Sequence, residues 1–196
     1  WLHKQPLFMW QMAISMKLFG VNEFAMRLPS VIMGSITILL IYRITILLTD
    51  NKTTSIIASL LICFSQYQLE MISGQIGMDH NDMAFSFYIL ASFWAFSEKI
   101  KNEKLIWNIL IGIFAGCAIL NKWLVGLLIF LPYGIIVIKD YIFEKQSIQI
   151  KKITISIFCC MIICLPWQLY ILYNFHELAV YEYNYNSQHI FKAVEG

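Results

Sequence analysis

Leu28 to Leu48 reads LPSVIMGSITILLIYRITILL, 21 residues in which Arg43 is the only charge. At 1.5 Å per residue such a helix is about 32 Å long, enough to cross a hydrocarbon core of about 30 Å. Pro29 suits the first turn, where its missing N–H is no loss. Arg43 lies near the far end, where its long side chain can reach the headgroups. Further apolar runs follow at about 54–71, 83–96, 105–120, 123–138 and 153–173, separated by short polar stretches. The run 6–19 would reach only about 21 Å and reads as a helix lying along the interface. The expected fold is all-α: a polytopic transmembrane helical bundle of about six spans plus one interfacial helix, in a single domain 1–196 with an extracytoplasmic tail at 174–196.

Composition agrees. The chain is 59% hydrophobic and 13% charged, with a mean hydropathy of +0.67, whereas soluble domains carry about a quarter charged residues. The natural partner of such a surface is the lipid bilayer. A net charge of +2, spread over short loops, argues against nucleic acid. The five cysteines, Cys63, Cys117, Cys159, Cys160 and Cys164, fall inside apolar runs without metal-type spacing and read as small hydrophobes. The chain starts at Trp1 without an initiator Met and stops at Gly196 in a polar stretch, so it reads as a piece of a longer protein lacking both natural ends.

Between two apolar runs lies Ser73 to Met83, SGQIGMDHNDM, which gathers Asp79, His80 and Asp82 into four residues. Two carboxylates and an imidazole suit proton transfer, metal binding or recognition of sugar hydroxyls. The plainer alternative is that Asp82 is the N-cap of the 83–96 helix while Asp79 and His80 are solvated. Gly112, Gly116 and Gly126 offer close contact within a hairpin of the 105–120 and 123–138 runs.

Lys and Arg divide unevenly over this topology. Arg43, Lys52, Lys99, Lys101, Lys104, Lys139, Lys145, Lys151 and Lys152 fall on one side; Lys4, Lys17, Arg27, Lys122 and Lys192 fall on the other. The positive-inside rule places the first set in the cytoplasm. His3-Lys4, the Asp79–Asp82 loop, Asn121-Lys122 and the aromatic tail with Tyr183 and His189 then share the extracytoplasmic face. Each has a plainer reading: Lys122 as an interfacial anchor, His3 and Lys4 as solvated groups, and Tyr181, Tyr183, Tyr185, Trp123 and Trp167 as an aromatic belt.

The stretches His3-Lys4-Gln5-Pro6-Leu7-Phe8-Met9-Trp10 and Lys17 to Ser30, KLFGVNEFAMRLPS, resemble the KPPL…W and KLFG…EFA.RLPS signature of GT-C membrane glycosyltransferases. These are the enzymes related to protein O-mannosyltransferases and the lipid A aminoarabinose transferase, glycosyltransferase families 39 and 83. Asp82-Met83-Ala84-Phe85 is similar to the family's Asp opening a transmembrane helix, Leu120-Asn121-Lys122-Trp123 to its LTKG, and Leu165-Pro166-Trp167 to its LPW. The resemblance implies inverting transfer of a sugar from a polyprenyl-phosphate donor to a protein, lipid or glycan acceptor at the extracytoplasmic face of the inner membrane. It also places the main catalytic acid upstream of Trp1, so that the 196 residues alone are expected to be inactive. Gln5 stands where the family has the first Pro of KPP, and Trp123 where it has the Gly of TKG. His3 stands where some relatives carry a metal-binding Glu, which leaves a divalent metal as the one cofactor in view.

The chemistry asked of such a site is specific. A phosphate leaving group needs cations, for which Lys4 and Lys122 are candidates, and the incoming hydroxyl needs a carboxylate, for which Asp82 and Asp79 are candidates. His80, Tyr183 and His189 complete the expected substrate-binding set. A secondary transporter or channel subunit would instead place ionisable groups near the bilayer midplane. A homologue that binds the carrier lipid without transferring sugar is the third reading.

Overall fold

The computed structural model describes residues 4–74, 79–144 and 148–191, and among them every regular element is helical. Helix α1 spans Leu7–Phe19, and α2 spans Glu23–Thr49, capped by Asn22, whose side chain accepts from the Ala25 N–H at 2.8 Å. Asp50, in the left-handed region at φ 51°, closes α2, and Asn51 caps α3, Lys52–Cys63, so the chain reverses within two residues. The 54–71 run, expected as one helix, is two: α3 ends at Cys63 and α4 spans Gln66–Ser73 at 50° to it. Ser65 causes the break, because its hydroxyl caps α4 by accepting from the Gln68 N–H and its backbone is extended at ψ 119°.

Helix α5, His80–Lys101, extends beyond the expected 83–96 run at both ends. Asp79 starts it, and its charged C-terminal turns stay helical because their charges are engaged. Glu98 accepts from Arg43 Nε at 2.6 Å, Arg43 Nη2 at 3.1 Å and the Trp94 indole at 3.2 Å. Lys99 sits 4.5 Å above the Tyr133 ring. The expected 97–104 turn therefore shrinks to Asn102–Lys104.

Helix α6, Leu105–Lys122, meets a 3₁₀ segment at Trp123–Ile129 that leads into α7, Phe130–Glu144. The chain reverses at Trp123, whose φ of 60° belongs to the region L-residues avoid. The return arm lies against α6: Gly126 touches the Ala118–Ile119 backbone, and Tyr133 donates its hydroxyl to Asn108. Of the three glycines expected in this hairpin only Gly126 serves it. Gly112 and Gly116 face α8, Ile148–Asn174, where a Cβ on Gly112 would lie 2.2 Å from the Ser156 carbonyl oxygen. Helix α9, His176–Phe191, occupies the stretch read as a polar tail and packs on α8 through Ile171 and Ala179.

Among the described residues three stretches are long and apolar enough to cross a membrane: Glu23–Thr49, Leu105–Lys139 and Ile150–Asn174. The bent α3–α4 pair makes a fourth, and the second contains the reversal at Trp123. Their outward faces carry large apolar side chains such as Leu39, Leu61, Leu131 and Ile135. Small residues instead line the inside, with Ala84, Ala91, Ala95, Ala115 and Ala118 almost wholly buried. Lipid tails are as apolar as leucine, so close van der Waals packing of small residues, and not exclusion from water, selects what sits between the helices. All five thiols are free, with Cys160 and Cys164 buried in the core.

Candidate active site

The start of α5, the end of α6 and the segment before α1 meet at one end of the bundle. Asp79 is extended at ψ 137° and caps α5, its carboxylate accepting from the Asn81 N–H at 3.1 Å. By Asp82 the helix is already formed, the Asp82 N–H bonding to the Asp79 carbonyl at 2.8 Å. This corrects the reading in which Asp82 is the N-cap of this helix.

Asp82 is thereby released to another partner. Lys122 Nζ lies 2.5 Å from Asp82 Oδ1, and Lys4 Nζ pairs with Asp79 Oδ2. The Lys122 ammonium also lies 5.8 Å from the centre of the Phe85 ring. Burial works against charge on Asp79, but the Lys4 ammonium, the Asn81 N–H and neighbouring His80 outweigh it and hold the carboxyl below the usual carboxylate range. Asn81 reinforces the junction, its buried amide donating to the Asn121 carbonyl at 2.9 Å, while Asn121 donates to the Cys117 carbonyl at 2.7 Å.

His80 is in contact with other helices. Its ring stacks on Phe8 at 6.2 Å, and Nδ1 lies 3.2 Å from the Ser30 hydroxyl. Gly74, with φ 66°, passes so close that a side chain there would strike the ring. His80 thus ties the α5 start to α1, α2 and the end of α4. Tyr183 donates its hydroxyl to Gln168 Oε1 at 2.8 Å, and its ring meets Trp123 edge-on at 4.5 Å.

His3 lies outside the described residues, as does the side chain of His189, which belongs to α9. Among the described residues no three His, Cys, Asp or Glu side chains are placed to hold a metal ion. Sequence reasoning put Asn81 and Asn121 on this face without giving them a role, and it missed Gln5 and Gln168 as partners here. The signal available was weak: amide side chains next to or within apolar runs, where a polar group needs a partner. An aromatic groove of about 390 Å³ flanks the site, bounded by Trp10, Leu120, Ile163, Pro166, Trp167 and Tyr170.

Two ammonium groups can bind an anion, and the carboxylates of one helical turn with which they are paired can accept a proton. A family model for dolichyl-phosphate-mannose-protein mannosyltransferase matches residues 3–170. The chain belongs to this family. It is also similar to the undecaprenyl phosphate-alpha-4-amino-4-deoxy-L-arabinose arabinosyl transferase of Pseudomonas aeruginosa strain UCBPP-PA14, with 26% identity over 82% of this chain and 29% of that protein. A second transferase so named, from Pseudomonas fluorescens strain Pf-5, is 26% identical over 92% of this chain and 30% of its own length. An uncharacterized protein of Aquifex aeolicus is 27% identical over 86% of this chain and 33% of its length. The chain thus spans no more than about a third of these relatives. No solved structure matches it. Family and apolar helices together make this a membrane protein.

Proposed function

We propose that this chain is part of a membrane enzyme that transfers a sugar from a polyprenyl-phosphate carrier to an acceptor hydroxyl at the extracytoplasmic face, with inversion. The observation that carries this reading is the pair of lysines, Lys4 and Lys122, brought from distant segments onto Asp79 and Asp82 of a single helical turn. As the acceptor oxygen bonds to the anomeric carbon, the carbon–oxygen bond to phosphate breaks and the phosphate keeps the electron pair. Lys4 and Lys122 stabilise that charge, and a carboxylate receives the hydroxyl proton. Asp82 is the candidate for contact with the reacting sugar or acceptor, with Asp79 in support. The relatives named for an undecaprenyl-phosphate-linked amino sugar favour a donor of that class. The alternation of cation and carboxylate at a helix end favours transfer over transport, which asks for ionisable groups at mid-depth.

The test uses the full-length protein in proteoliposomes with a polyprenyl-phosphate-linked sugar. Release of polyprenyl phosphate coupled to glycosylated acceptor is expected. Lys4→Met and Lys122→Met should each reduce it at least about 100-fold, the scale of losing one electrostatic group. Unimpaired transfer by both variants would move the phosphate site elsewhere.

A further inference from the structure

Three polar side chains outside the ion pairs form a line across the same end of the molecule. Tyr183 in α9 donates to Gln168 Oε1 in α8, and Gln168 Nε2 donates to Gln5 Oε1, both at 2.8 Å. The edge-on contact of Trp123 with Tyr183 extends the line to the start of the 3₁₀ segment that follows α6. Its two ends are chain neighbours of the two lysines, since Gln5 follows Lys4 and Trp123 follows Lys122.

Stability alone does not explain Gln5. Its side chain is 1% exposed, and Nε2 has no acceptor among the described residues. A buried donor without a partner lowers stability, a cost that a proline, as in the KPP sequences this stretch resembles, would not incur. Nor does α9 need a polar latch to pack, because Ile171 and Ala179 already supply an apolar contact. Burial raises the pKa of Tyr183, so its hydroxyl remains a donor across the neutral range. Polar groups kept at a cost in stability beside a site are expected where they hold geometry.

We infer that Gln5, Gln168 and Tyr183, with Trp123, are positioning residues that brace the segment bearing Lys4 against the segment bearing Lys122 and so set the spacing of the two ammonium groups for a phosphate-bearing substrate. This rests on the donor reading proposed above. Lysine stems are flexible, so two ammonium groups converge on one phosphate at low entropic cost only when their backbones are held at a set separation. A brace of this kind acts on binding in ground and transition states alike and therefore shows in KM more than in kcat.

Full-length wild type, Tyr183→Phe, Gln5→Leu and the double variant are compared in proteoliposomes for kcat and for KM of a polyprenyl-phosphate-linked sugar. Each single variant is expected to raise donor KM about fivefold to tenfold with kcat within about twofold. The double variant should be no worse than the worse single, because both cut the same line. Should Gln5→Leu fail to accumulate, Gln168→Met replaces it in the cycle. Unchanged donor KM, effects that multiply in the double variant, or a fall in kcat at constant KM would each overturn the brace while leaving the donor reading intact. An inactive wild type would overturn both.

Discussion

At the scale of single residues, the decisive difference is between two aspartates three positions apart. Asp79 is held by its cap and by Lys4, whereas Asp82 has the Lys122 ammonium as its partner. Asp82→Asn in the full-length protein is expected to lower transfer at least about 100-fold, and Asp79→Asn to cost less. Both ion pairs are partly exposed, so breaking either should change stability by no more than about 1 kcal/mol. A loss of activity at normal expression would then report on chemistry; near-normal turnover by Asp82→Asn would remove it from the catalytic set. Asp79 also makes a pH prediction. Its folded pKa is depressed, so the stability it contributes is present above the unfolded value of about 3.9 and is lost as pH falls through the folded pKa. Between pH 5 and 3, in steps of about one unit, the thermal midpoint of wild type should therefore fall more steeply than that of Asp79→Asn. Parallel curves would show that the Lys4 pair contributes nothing to acid stability.

Among the elements, the α6–α8 contact depends on the absence of side chains. Gly112 and Gly116 let α6 approach the Ser156 and Cys160 carbonyls, and Ser156 donates its hydroxyl to the Asn108 carbonyl at 2.8 Å. Gly112→Ala must push the two backbones apart and is expected to cost about 1–3 kcal/mol. Gly134 in α7 is the matched control, because a Cβ there meets nothing within 4 Å. Gly134→Ala should be neutral or stabilising by up to about 1 kcal/mol, since glycine in a helix interior carries an entropic cost. Unfolding midpoints in detergent measure both, and equal effects would refute the close-approach argument. The 3₁₀ segment Trp123–Ile129 follows Lys122 directly and leads into α7, so the backbone that reverses the chain also presents a site lysine.

For the molecule as a whole, charged groups gather at two ends. One holds Lys4, Asp79, Asp82 and Lys122; the other holds the Arg43–Glu98, Lys101–Asp50 and Lys152–Glu103 pairs. The excess of Lys and Arg in the second set of loops predicts that this end is cytoplasmic. In an otherwise cysteine-free background, Val21→Cys, at a position 90% exposed in the α1–α2 turn, should react with an impermeant thiol reagent on intact cells. Asn102→Cys, in the α5–α6 turn, should react only after permeabilisation. The reverse pattern would put the candidate site in the cytoplasm.

The linear sequence was enough for the all-α membrane class, because a composition that cannot face water admits few other solutions and long apolar runs announce themselves without reference to partners. It also showed that Asp79, Asp82, Lys4 and Lys122 fall in segments able to share one face, since alternation of apolar runs assigns segments to sides. Which carboxylate caps α5, which lysine each one meets, and that Gln5 reaches Gln168 were decided only by tertiary structure. Local signals could not separate Asp79 from Asp82, as both precede an apolar run and either can cap a helix. The break at Ser65 and the helical SEKIK turn follow the same logic. A serine in an apolar run ends a helix or rides within it, and a charged stretch unwinds or stays wound, according to the partners that packing supplies. For Glu98 those partners are Arg43 and Trp94, and the first of them is 55 residues away in the chain.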